Sequence, residues 1–288
     1  MRCAVDTVNV LELNRRFHDE VEAESYDARM GVTHDPDSVK RMMIELESVR
    51  GAALRGGHVV DVGAGTGNVA IKLALTGRFS KVSAVDISRV SLETLSATAR
   101  DLDCELETIE SDMMRLPFPD GSVDYVVGCA FLHHLPDPAA FMGEVKRVLR
   151  PGGTFVIIGE PSAFGAIVTE IVKLPLVLLN RCIRTMTSRN TIRWDHDQID
   201  VHTFTIGDVR RLTKGFTRTR LHSEGFLEPV IDQGLLVAVR ALLGRVPGVN
   251  ASCDLTRDGA RLMDRHLFNR VLPTAARVTF KFSGVRGY

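Results

Sequence analysis

His58-Val-Val-Asp61-Val-Gly63-Ala-Gly65-Thr-Gly67-Asn68 is the stretch on which the fold turns. Val59, Val60 and Val62 form a short apolar run with the length and β-branched character of a buried strand. The run opens directly into glycines at alternate positions, and residues 67–76 continue with helical character. Glycine at a strand-to-helix turn reaches φ > 0 without a steric penalty and lets a ligand come close to the main chain. A dinucleotide-binding turn, G-x-G-x-x-G/A, needs Gly or Ala two residues after Thr66. Asn68 stands there and the third glycine comes one residue early, which disfavours NAD.

Outward from this turn, strands and helices alternate. Lys81–Asp86, Glu105–Glu110, Val123–Gly128 and Thr154–Gly159 read as further strands, with helices over Ser88–Leu102 and Pro138–Leu149. The alternation predicts an α/β protein with a mostly parallel sheet and crossover helices. Residues 9–54 predict two helices about a turn at Gly31–Pro36, with Asp37 or Ser38 capping the second. Thr205-Ile-Gly-Asp208 resembles a capping box, Phe216–Ser223 suits a sixth strand, and Ala276–Phe282 alternates at period two as a final one. The expected organisation is a helical N-terminal cap (1–55), a Rossmann-like core (56–160), an apolar insertion acting as lid or substrate wall (161–204), and the end of the sheet (205–288). That last part carries a helical appendage over 225–274 and a strand over 276–283.

The chain has 288 residues, 44% hydrophobic and 25% charged, an ordinary globular composition. Its 36 Lys and Arg balance 36 Asp and Glu, so no global field draws it to nucleic acid or anionic lipid. Nine cations against four aspartates between Arg181 and Arg220 form one basic stretch. Without interleaved aromatics it reads as a solvated face, and nucleic acid is not the expected partner. The five cysteines are odd in number and include no CxxC pair, so no metal is expected and free thiols in a reducing compartment are. No run suits a membrane span or a signal peptide, which predicts a cytoplasmic protein.

Asp61-x-Gly-x-Gly-x-Gly67 resembles the first motif of class I S-adenosylmethionine-dependent methyltransferases. Four further segments follow in that family's order: Asp86 ending the second strand, Ser111-Asp112-Met-Met-Arg-Leu-Pro-Phe118, Phe131-Leu-His-His-Leu-Pro-Asp137 and Leu149-Arg-Pro-Gly-Gly153. Together they cover about residues 57–160. The resemblance, strongest to the small-molecule branch that includes ubiquinone and menaquinone biosynthesis, implies a Rossmann-like seven-stranded sheet with helices on both faces. It implies S-adenosylmethionine as cofactor and S-adenosylhomocysteine as product. Cofactor contacts are implied for Tyr26, which would close over it, and for Asp61, Gly63, Ala64, Gly65 and Gly67. Asp86, with Ile87 beside it, would hold the ribose hydroxyls. Asp112 would accept from the adenine amino group with Met113 against the ring, and Cys129 would be a further cofactor contact.

The sulfonium already activates the methyl group, so alignment and exclusion of water are the main tasks of such a protein. A base is needed only where the acceptor must lose a proton. His133 and His134 lie just beyond the fourth strand, at the edge where open α/β sheets bind ligands; with His202 they are the candidate catalytic residues. Adjacent in a turn, His133 and His134 are not both expected to point inward. Glu160 faces the same edge, with binding of backbone groups as its alternative role. Phe131, Ile167, Ile171, Trp194 and His196 are expected to line a pocket for a small, largely apolar acceptor, methylated on oxygen or carbon. The alternatives are an RNA methyltransferase using residues 181–220, and a cofactor-binding cyclase or scaffold that transfers no methyl. The helices beyond Phe226 pack either on each other or on a second subunit of a homodimer.

Overall fold

The structure is a computed structural model, and it describes residues 7–22, 27, 31–168, 201–225, 231, 248–264 and 277–288. Tyr26, Ile171, Trp194 and His196 lie outside the described residues, as does most of the predicted insertion and appendage. Helix α1 (Thr7–Phe17) runs into a π-helical turn, His18–Glu22, and α2 spans Pro36–Arg50. The core then alternates as β1 (His58–Val62), α3 (Ala70–Leu75), β2 (Lys81–Asp86), α4 (Arg89–Asp101), β3 (Glu107–Glu110) and β4 (Val123–Cys129). A 3-10 turn at Leu132–His134 precedes α5 (Pro138–Val148), β5 (Leu149–Pro161), α6 (Ile206–Leu212), β6 (Phe216–Glu224), α7 (Val249–Met263) and β7 (Thr279–Arg286).

The seven strands form one sheet in the order β3-β2-β1-β4-β5-β7-β6. β1 to β5 are parallel, and β7 inserts antiparallel between β5 and β6. The fold is the predicted Rossmann-like α/β class. The last strand begins at Thr279 rather than Ala276, and the Arg150-Pro-Gly-Gly153 turn is absorbed into a long β5. Helices cover both faces, so the central strands bury both sets of side chains and read as continuous apolar runs. Phe155 and Ile157 of β5 pack with Phe141, Val145 and Val209 on one face. Val156 and Ile158 pack with Met42, Leu46 and Leu73 on the other, the alternation a strand dictates.

The cap of α2 corrects the sequence expectation. Asp35, not Asp37 or Ser38, is the N-cap; its carboxylate accepts from the Asp37 and Ser38 amides at 3.0 Å. Pro36 then occupies the first helical position, where its missing N–H costs nothing. The predicted capping box at Thr205 is present, with Thr205 and Asp208 bonding each other's amides. β5 changes register between Ile157 and Glu160, with Gly159 at φ 77°. A bulge of this kind re-aims the following side chain, and here that side chain is Glu160.

Candidate active site

The glycine turn sits at the carboxyl end of β1, and its three glycines have different reasons to be glycine. All have φ > 0, at 65°, 51° and 102° for Gly63, Gly65 and Gly67. A Cβ at Gly63 would collide with the Phe131 side chain, and one at Gly67 would stand 2.7 Å from Ile71 and 2.8 Å from Leu95. Those two are packing glycines. Among the described residues, a Cβ at Gly65 would meet nothing within 4 Å. Gly65 therefore leaves room on the open side of the turn, where a ligand would lie.

Asp86 ties this turn to the end of β2. Its Oδ2 accepts from the Gly65 amide at 2.8 Å and its Oδ1 from the Ser88 amide at 2.8 Å. Buried Ala64 bonds through its amide to the Val85 carbonyl at 3.1 Å, and half-buried Ile87 follows. The N-terminal cap reaches over the same edge: Thr66 donates to Asp27 at 2.5 Å, Ser88 to Asp19 at 2.6 Å, and the Asn14 amide to the His134 carbonyl at 2.8 Å. These contacts join residues 39, 69 and 120 positions apart, so no local spacing in the sequence signals them. Asn68, which broke the dinucleotide pattern, accepts from buried Lys72 at 2.5 Å.

Asp61 is the electrostatic anomaly of the site. It is 1% exposed, and neither carboxylate oxygen meets a hydrogen-bond donor. Burial pushes its carboxyl well above the usual range, and the Asp86 charge adds to this; the Ala70 amide offsets it in part without reaching hydrogen-bond geometry. A carboxylate left in this state is complementary to a cation, such as the ammonium end of a bound methionine. The residues present thus fit S-adenosylmethionine. Because the fold holds the Asp61 proton above its ordinary pKa of 3.8, its contribution to stability is fully present at low pH and is lost as pH rises toward the raised value. Asp61→Asn should therefore match the wild type in acid and become the more stable protein as pH rises. It should also bind S-adenosylmethionine at least about tenfold more weakly, one charge-assisted bond being worth roughly 1.5–3 kcal/mol. Thermal melts across pH with a parallel cofactor titration check both signs.

Asp112 is exposed and its Oδ1 accepts from the Met114 amide at 3.0 Å. This turn places buried Met113 in the left-handed region, φ 62°, a conformation that residues other than glycine keep mainly at functional sites. Cys129 ends β4. Its thiol is pushed up to about 12 by burial, then by the charges of Glu45, Asp61 and Glu160. It is a protonated thiol at neutral pH and no nucleophile.

The two histidines differ in burial, yet their rings lie together. His133 is buried, its Nδ1 2.9 Å from Glu160 Oε2. His134 is half-buried, with its ring edge-on to His18 at 5.6 Å and 3.9 Å from that of His133. His202 joins the cluster through the backbone, its amide donating to the His133 carbonyl at 3.1 Å, while its own Nε2 is buried without a partner. Glu160 is wholly buried and does bind backbone groups, accepting from the amides of Phe131, Leu132 and His133. Phe131 corrects the acceptor-wall expectation. It is 4% exposed, occupies the space under Gly63 and Gly128, and meets Phe141 edge-on at 5.3 Å, so it is core. Ile167, on helical residues 163–168, is 62% exposed. Among the described residues no group of His, Cys, Asp and Glu is arranged to hold a metal, and no helix is long and apolar enough to cross a membrane.

Residues 60–157 match the family model described as a methyltransferase domain. The chain is 34% identical over 118 residues to 27-O-demethylrifamycin SV methyltransferase of Amycolatopsis mediterranei, covering 38% of this chain and 43% of that one. It is 32% identical over 114 residues to demethylmenaquinone methyltransferase of Bacillus licheniformis, covering 38% and 49%. The chain thus spans less than half the length of either relative. Among solved structures, Haemonchus contortus phosphoethanolamine N-methyltransferase 2, bound to S-adenosylhomocysteine, superposes with a TM-score of 0.61 at 16% identity, covering 95% of this chain and 60% of that one. Residues 60–157 are a methyltransferase domain, and the seven-stranded sheet that carries it has the class I S-adenosylmethionine-dependent methyltransferase fold.

Proposed function

We propose that this chain transfers the methyl group of S-adenosylmethionine to oxygen or carbon of a small, largely apolar acceptor. The observation that carries the reading is the pairing, at one sheet edge, of the open Gly65 turn with two carboxylates, the unpaired Asp61 and the loop-tying Asp86. Relatives named for demethylmenaquinone and 27-O-demethylrifamycin SV support a small-molecule acceptor. When bound, the cofactor supplies an already electrophilic methyl group. The protein's part is then to hold, orient and keep dry. Asp61 would take the cationic methionine end. Asp86, whose ionised oxygens have lone pairs beyond those used by the two amides, would accept from the ribose hydroxyls. Asp112 would face the adenine end. His133 would receive the proton that an acceptor O–H or C–H gives up as its bond to the methyl carbon forms and the carbon–sulfur bond breaks.

The test is calorimetric titration with S-adenosylhomocysteine, followed by transfer of labelled methyl to a reduced, short-chain demethylmenaquinone. Asp86→Ala should weaken cofactor binding by at least about tenfold, since it removes charge-assisted bonds each worth roughly 1.5–3 kcal/mol. An unchanged dissociation constant in that variant would remove Asp86 from the site. Wild-type protein that binds no cofactor would sink the whole reading.

A further inference from the structure

Glu160 is wholly buried, and three backbone amides and the His133 ring converge on it. Oε1 accepts from the Phe131 and Leu132 amides, each at 3.0 Å. Oε2 accepts from the His133 amide at 3.2 Å and faces His133 Nδ1 at 2.9 Å. Three of these partners are backbone N–H groups, which cannot reverse direction. Three backbone N–H bonds onto one carboxylate favour its charged form, because each is stronger to an ionised acceptor. An ionised carboxylate only accepts. Facing that carboxylate at 2.9 Å, the His133 ring is read as the donor from Nδ1, which leaves the basic lone pair of its neutral form on Nε2.

We propose that Glu160 is a positioning residue for methyl transfer: it fixes the Nδ1–H tautomer and the orientation of His133, so that Nε2 is the nitrogen that takes the acceptor's proton. The inference rests on the methyl-transfer reading for its purpose but not for its geometry. The bulge at Gly159 that turns Glu160 inward and the 3-10 turn that holds His133 are locked together by this one side chain. In the transfer step the acceptor's X–H bond supplies the electron pair of the new bond to carbon, the carbon–sulfur pair stays on sulfur, and the proton passes to His133 Nε2 and then to solvent. The buried negative charge also stabilises the imidazolium so formed, as a carboxylate does behind a catalytic histidine. Around it, the His134 ring lies 3.9 Å from that of His133 and itself meets the His18 ring, and the His202 amide bonds the His133 carbonyl. Glu160 is the carboxylate that His133 Nδ1 faces, and its charge sets the sign of the effect.

The experiment is nitrogen-15 NMR of histidine-labelled full-length protein, with the His133 signals assigned by their loss in His133→Asn. Wild-type His133 should carry its neutral-form proton on Nδ1. In Glu160→Gln its titration midpoint should fall by at least about one pH unit, because the neighbouring charge is gone. Turnover of the reduced, short-chain demethylmenaquinone at neutral pH should fall at least about tenfold, with the lower limb of the pH profile moving with the midpoint and S-adenosylhomocysteine affinity unchanged. Glu160→Asp, which keeps the charge, should recover part of both. A wild-type His133 protonated on Nε2, or a midpoint unmoved in Glu160→Gln, overturns the inference. The wild-type tautomer decides the matter even if both variants fail to fold. Failure to bind S-adenosylhomocysteine overturns the methyl-transfer reading and leaves the tautomer result standing.

Discussion

Gly65→Val should abolish S-adenosylmethionine binding in a protein that still folds. The fold survives because an added Cβ at Gly65 meets nothing within 4 Å among the described residues. The cost is conformational: at φ 51° a side chain suffers the left-handed penalty, about 1–2 kcal/mol and more for a branched residue, against a typical stability of about 5–15 kcal/mol. The ligand feels the same atoms directly, because they fill the open side of the turn where the main chain must be approached. Gly67→Ala is the contrasting control. Its Cβ would press on Ile71 and Leu95, so it should lower the melting temperature more than it lowers cofactor affinity. Calorimetry and a thermal melt on both variants separate the two glycines. Wild-type affinity in Gly65→Val would mean that the ligand does not approach this turn at all.

This division among three identical residues marks where sequence reading stops. Strand-to-helix alternation, the glycine turn and the acidic end of β2 were legible because each depends on local spacing. The seven-stranded, Rossmann-like sheet followed from the resemblance, and the structure has it; the strand order came from the structure alone. Which glycine serves packing was not legible, because the atoms that crowd Gly63 belong to Phe131, in a different part of the chain. The role of Glu160 was half legible. Its place at the end of β5 put it at the right edge, but the bulge that aims it is set by the pairing of β5 with β7. Asp35 was missed for a local reason: the proline after it looked like a turn element, when it occupies the first position of the helix. The polar ties from Asp19 and Asp27 to Ser88 and Thr66 leave no trace in periodicity, since they join a helical cap to distant loops.

Phe131→Ala should cost about 3–5 kcal/mol, the range for emptying a buried aromatic site. The ring is 4% exposed, stacks edge-on to Phe141 at 5.3 Å and fills the space that Gly63 and Gly128 leave open. At roughly 2–4 °C per kcal/mol for a domain of this size class, the melting temperature should drop by about 6–20 °C. Cofactor affinity should follow, because the ring supports the glycine turn from below and the turn is then free to sag. A side chain that merely lined an acceptor pocket would behave in the opposite way, leaving the melt alone and raising the Michaelis constant for the acceptor. The packing argument also makes a second, sharper demand. Gly128→Ala alone would drive a methyl group into the Phe131 ring, so its cost should shrink in the Phe131→Ala background, where the ring is gone. The two substitutions should therefore be less than additive, as expected of residues in direct contact. Strict additivity in a double-mutant cycle, read by chemical denaturation, would show that the two residues do not share that space.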